Sequence, residues 1–135
     1  MLGIQFRSFF WCFCGLVLVD SIIALPLLAH RRSESFSGSG TYYNVGPGSC
    51  GETNSDTEMV VAVNTGQMNN GPNPNSNPHC QKTISIKGDE GVVKARVVDT
   101  CPGCSEGGLD MSPALFQRVC GDLGRGRCDI EWHYL

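Results

Sequence analysis

The stretch VVDTCPGCSEGGLDMSPALFQRV, Val97 to Val119, decides how the chain is read. An apolar pair runs into Asp99. Cys101 and Cys104 follow, and a glycine-rich hop leads to a second acid, Asp110. Ser112 and Pro113 then mark a helix start, serine as N-cap and proline at the first helical position, where its missing N–H costs nothing. Leu115, Phe116 and Val119 fall on the side of that helix facing a core.

Outward from this stretch, period-two alternation dominates. VVKARVVD puts Val93, Ala95 and Val97 on one face and Lys94 and Arg96 on the other. QKTISIK (81–87) turns Ile84 and Ile86 inward and Thr83, Ser85 and Lys87 outward, and GDEG joins the two strands as a hairpin. RCDIEWHY sets Cys128, Ile130, Trp132 and Tyr134 against Arg127, Asp129, Glu131 and His133, which makes Trp132 a core residue. EMVVAVN (58–64) reads as a buried strand, with Asn64 capping a single helical turn in NTGQMNN. TYYNV is a short strand candidate whose two tyrosines point to opposite faces. NGPNPNSNPHC is too rich in proline and asparagine for a helix or a central strand and reads as a surface loop. Many short strands with two small helices make the chain mostly β, and a small barrel fits better than a sandwich.

The N-terminus reads as targeting rather than fold. Arg7 precedes a long apolar run that ends near Ala29, the pattern of a secretory signal peptide over 1–29. The alternative, an uncleaved membrane anchor, is weakened by Asp20 and Pro26 within the run. Residues 30–38 then form a flexible or processed lead-in, with Arg31 and Arg32 as a dibasic point and Ser and Gly over 33–40. Cleavage leaves six cysteines: Cys50, Cys80, Cys101, Cys104, Cys120 and Cys128. An even number in a short exported chain implies three disulfides, which a domain this small needs to support its core. Fifteen pairings are possible. The one adopted as an expectation is Cys50–Cys80, Cys101–Cys104 and Cys120–Cys128. A redox pair or a zinc site on the same cysteines fits less well, because the CPGC follows a strand and export favours disulfides over thiolates.

From Ser33 onward, seven Lys/Arg against twelve Asp/Glu leave a net charge of −5. With no basic run, nucleic acid and an anionic membrane surface are poor partners. No Asn-X-Ser/Thr sequon occurs. Nothing calls for a cofactor or a metal, and the expected state is a secreted, extracellular monomer.

VVDTCPGCSEGGLDMSPALFQRV with a terminal DIEWHY resembles the RlpA-like, expansin and barwin group of double-psi β-barrels. GTYYNVGPGSCG is similar to that group's opening strand and loop, and VAVNTGQMNNG to its strand and helical turn. The resemblance covers about 39–134, and the cysteine pattern looks most like small single-domain secreted proteins of fungi. It implies a six-stranded double-psi barrel over 39–135 with one or two short helices and a groove along one face. The carbohydrate-binding β-sandwich of expansins has no counterpart in the sequence given.

The resemblance also implies roles. Asp99 matches the acid that ends the strand before the CPGC-like loop, placed in the polysaccharide groove. In the related endoglucanases the matching residue is a general acid, so Asp99 is the candidate acid here. Thr41, with Tyr42 or Tyr43, lies near it by match to the opening strand. Glycoside hydrolysis ordinarily needs two carboxylates. The opening strand offers no second one, Glu52, Asp56 and Glu58 are near in sequence only, and no histidine occurs between Asp99 and Ser112. A hydrolase is therefore disfavoured against a non-hydrolytic, expansin-like module that binds cell-wall polysaccharide. The alternatives are a protein-binding module, such as a protease inhibitor or secreted effector that uses the loop 69–79, and thirdly a weak glycan-cleaving enzyme. Asp99 also fits a simpler role, capping a turn through its own backbone. Asp110 reads as a structural residue that fixes the loop before the helix, and His79 and His133 are assigned no role.

Overall fold

Six strands close into a barrel in the computed structural model, which describes residues 33–135. The expected signal peptide and the start of the lead-in lie outside the described residues. The strands are β1 (Ser35–Tyr42), β2 (Val60–Asn64), β3 (Thr83–Gly88), β4 (Gly91–Cys101), β5 (Leu109–Met111) and β6 (Cys128–Tyr134). They neighbour one another in the closed order β1-β5-β2-β4-β3-β6. β1–β5 and β2–β4 pair in parallel, and every other pair is antiparallel. Parallel neighbours need connections that cross over rather than tight hairpins. β2 lies between β5 and β4 with all five residues buried, which is why it is a continuous apolar run instead of an alternating one.

Two short helices complete the fold, α1 (Thr65–Met68) and α2 (Pro113–Cys120). Asn64 caps α1 by accepting from Gln67 N–H at 3.0 Å, and Ser112 caps α2 by accepting from Leu115 N–H at 3.2 Å. Leu115, Phe116 and Val119 of α2 are fully buried in one core with Ile84, Ile86, Val97 and Trp132. Trp132 has no exposed surface, and its indole N–H donates to Gly107 O at 2.9 Å.

β1 begins earlier than its composition implies, so Ser35–Gly38 belong to the barrel instead of a flexible lead-in. The strand pairs with β6 from Ser35 opposite His133 to Gly40 opposite Cys128. Its glycines answer a packing need. A Cβ on Gly38 would stand 2.4 Å from the Gly107 carbonyl carbon, and Gly107 itself holds φ +75 against Ser37. Local composition reads as a linker, whereas close approach of two backbones demands the same small residues.

β5 is the other departure. Its three residues sit where the sequence reading placed a loop, because so short a run shows no period. The disulfides join Cys50 to Cys80, Cys101 to Cys104 and Cys120 to Cys128.

Candidate functional site

A β-bulge on β4 sets up the site. Val61 pairs with Val97 but the next residue, Ala62, pairs with Asp99, so Val98 is the extra residue. The loop between β1 and β2 settles on this bulge. Cys50 N–H donates to Val98 O at 3.2 Å, and a Cβ on Gly48 would meet that same oxygen at 2.4 Å. Asp99 then fastens the loop. Ser49 N–H and Thr100 N–H both donate to its Oδ1, each at 2.8 Å. One bond is to its own backbone neighbour, as a turn cap would make, and the other reaches across the fold.

A lateral row crosses the barrel at this level. Thr41 on β1 pairs with Asp110 on β5, Asp110 with Ala62 on β2, and Ala62 with Asp99 on β4. In-register residues on adjacent strands project from the same face. Leu109 and Met111, flanking Asp110, are buried in the core, so the row lies on the outer face. Asp99 and Asp110 are two strand spacings apart, about 9–10 Å at Cα. Ala62 between them is 2% exposed.

Asp110 carries the more perturbed environment. Burial raises its pKa, the Thr41 hydrogen bond pulls it back, and the Asp99 charge raises it again. Thr41 Oγ1 donates to Asp110 Oδ1 at 2.8 Å. Tyr43 belongs to the same neighbourhood. Its hydroxyl is buried without a well-formed hydrogen bond. Burial drives its pKa far above the ordinary phenol range, and the carboxylates of Asp99 and Asp110 add to the rise. Tyr42 points elsewhere: it is 37% exposed and its ring lies 4.9 Å from that of Phe116 on α2.

The adjoining cleft has a volume of about 250 Å³ and runs past Thr41 and Asp110 to Ser39 and Arg127. Its far wall is the Cys101–Cys104 loop with Ser105. The family resemblance implies a place for Asp99 in the groove. Here Asp110 lines the cleft, while Asp99 stands two strands away and holds the loop over β4. Of the expected binding residues, Thr41 lines the cleft, Tyr43 borders both acids, and Tyr42 packs on α2. Asp110 shows in the sequence only as an acid between Leu109 and Met111, and Arg127 as a member of the polar face leading into β6.

The remaining acids considered for a second catalytic role are engaged. Asp56 accepts from Val45 N–H and Asn44 Nδ2, and Glu52 and Glu58 pair with Arg96. The loop 69–79 is an ordered shelf beside the site. Buried Asn77 donates to Met68 O at 2.7 Å and to Asn70 Oδ1 at 2.6 Å, and Asn70 Nδ2 donates to Thr100 Oγ1 at 2.8 Å. Cys50–Cys80 staples this loop to the one that Asp99 holds.

No protein-family model matches the chain. It is 33% identical over 114 residues to the allergen Asp f 7 homolog of Arthroderma benhamiae, a match covering 73% of this chain and 38% of that protein. The chain therefore spans little more than a third of that relative's length. The solved Streptomyces papain inhibitor superposes with a TM-score of 0.68 at 28% identity, covering 76% of this chain and 94% of the inhibitor. A mutant expansin of Clavibacter michiganensis, solved in complex with cellohexaose, gives a TM-score of 0.65 at 25% identity and covers 76% of this chain and 50% of its own.

Proposed function

The chain belongs to the expansin-like, barwin-related double-psi β-barrels, and on that footing we propose that it is a secreted module that binds cell-wall polysaccharide without hydrolysing it. The observation that carries this reading is the cleft lined by Thr41 and Asp110 on the outer side of the barrel, with Asp99 two strands further round. Carboxylate and hydroxyl groups suit the hydroxyl-rich surface of a glycan, since each sugar OH both donates and accepts. The likeness to an expansin solved with cellohexaose supports the same ligand class. The disulfides suit an oxidising, extracellular setting.

Hydrolysis needs a second working carboxylate. Asp110 is a candidate acid, but Asp99 Oδ1 is taken by two backbone N–H groups, and its bond to Ser49 anchors a loop instead of activating water. This division supports a binding role without bond cleavage.

A second reading has its own support. The papain inhibitor is matched over 94% of its length. In that reading the stapled loops, 44–54 and 69–80, contact a protease or another protein. Sedimentation with insoluble cellulose, chitin and peptidoglycan separates the two. Retention on a glycan supports the first; no retention, with inhibition of a cysteine or serine protease, supports the second. Release of reducing ends would instead establish the weak glycan-cleaving enzyme.

A further inference from the structure

We propose that the cleft beside Asp110 is a subsite for a carboxylated sugar, in which Arg127 pairs with the carboxylate of one uronic acid unit on an otherwise neutral glycan. This rests on the polysaccharide reading above and adds the chemistry of one position within it.

Arg127 adjoins the row already described. β6 pairs with β1 through Ser39 opposite Asp129 and Gly40 opposite Cys128. Arg127 comes just before Cys128, where that pairing ends, and lines the same cleft as Thr41. Arg127, Thr41 and Asp110 all line the cleft, together with the hydroxyls of Ser39 and Ser105.

Its charge is available. Arg96 is paired with Glu52 and Glu58, and Arg125 with Asp89. Among the described residues Arg127 makes no ion pair, although Asp129 follows two residues along the same face. Arg118 is unpaired as well, but it lines no cleft with the acids. An unpaired guanidinium facing a wall of hydroxyls offers a planar fork that fits a carboxylate with two parallel hydrogen bonds. The surrounding charge limits how many carboxylates the ligand can carry. The described region has a net charge of −5, and Asp99 and Asp110 continue the row, so a run of uronates would be repelled while an isolated one beside Arg127 is not.

The test uses a matched pair of ligands: cellohexaose, and cellohexaose with one unit oxidised at C6 to the uronic acid. Binding is followed by calorimetry and by the NMR signal of the Arg127 side chain. The wild-type protein should prefer the oxidised ligand by roughly tenfold, the scale of a charge-assisted bidentate contact in a partly open cleft. Arg127→Gln should erase that preference, weakening the oxidised ligand more than the neutral one, and Arg127→Lys should keep part of it. The preference should shrink as salt is added. Equal binding of both ligands by the wild type, or equal loss of both in Arg127→Gln, overturns the subsite and leaves the groove standing. Binding of neither ligand also overturns it, and sedimentation with the insoluble glycans then decides separately whether the polysaccharide reading survives.

Discussion

Thr41 and Asp110 meet across the parallel pair β1–β5, with Thr41 Oγ1 donating to Asp110 Oδ1 at 2.8 Å. That one bond ties the opening strand to the acid of the cleft and opposes the burial that raises the acid's pKa. Removing it with Thr41→Val should move the Asp110 pKa further up. Carboxyl NMR titration reads this directly, and an unchanged or lowered pKa would show that the bond does not hold the charged form.

The raised pKa fixes the sign of a pH effect on stability. A carboxyl whose folded pKa lies above its unfolded value is protonated more readily in the fold, so its charge costs stability once the pH rises above that range. Asp110→Asn removes the charge and keeps an oxygen for Thr41. Relative to wild type, the variant should therefore gain stability as the pH goes from about 3 to 7. Paired denaturant titrations at the two pH values check it; a relative loss contradicts the assignment.

His79 gives a second pH dependence through a different cause. Its pKa is lowered by burial and then by the Lys82 charge, and its ring stacks on Tyr134 at 4.8 Å. The folded state favours neutral imidazole, so stability should rise with pH through the range up to about 6.5, the unfolded value, and be lost below it. Replacing His79 with Gln should flatten that slope. A slope of equal size in the variant would place its origin elsewhere.

Much of the architecture was legible because it rests on strong local signals. The alternation in QKTISIK and RCDIEWHY, the Ser112–Pro113 cap and the buried run before Asn64 each fix an element independently of the others. The first half of β1 and the whole of β5 were not legible, since Gly38 and Gly107 are small for the sake of each other and Leu109–Met111 is too short to show a period. The site suffered from the same gap. Asp99 stands out in sequence because it closes the alternating run VVKARVVD, yet β4 continues to Cys101 and the bulge at Val98 turns Asp99 toward Ser49. Asp110 gains its position from pairing with Thr41 and Ala62, residues far from it along the chain.

Trp132 tests whether a buried aromatic has any part in binding. It lies wholly in the core with its N–H on Gly107 O. Trp132→Ala should cost about 3–5 kcal/mol. Trp132→Phe keeps most of the packing and loses the hydrogen bond, about 0.5–1.5 kcal/mol. Folded Trp132→Phe should bind glycan as wild type does; a selective loss of binding at full folding would make the ring part of the site.

The Cys50–Cys80 bridge should matter beyond its own stability. Replacing both cysteines with serine removes a staple typically worth about 2–4 kcal/mol. It also frees the loop that presents Ser49 N–H to Asp99. Amide exchange at Ser49 should accelerate more than at residues of β6, which the bridge does not touch. Uniform acceleration across the barrel would mean that the bridge supports the fold without positioning this loop.

Sedimentation of wild-type and Asp110→Asn protein with insoluble cellulose, chitin and peptidoglycan tests whether the cleft at Asp110 holds wall polysaccharide. Wild type should pellet with at least one of the three, and the folded variant should remain in the supernatant. Wild type left in solution with all three, or a variant that pellets equally well, contradicts it.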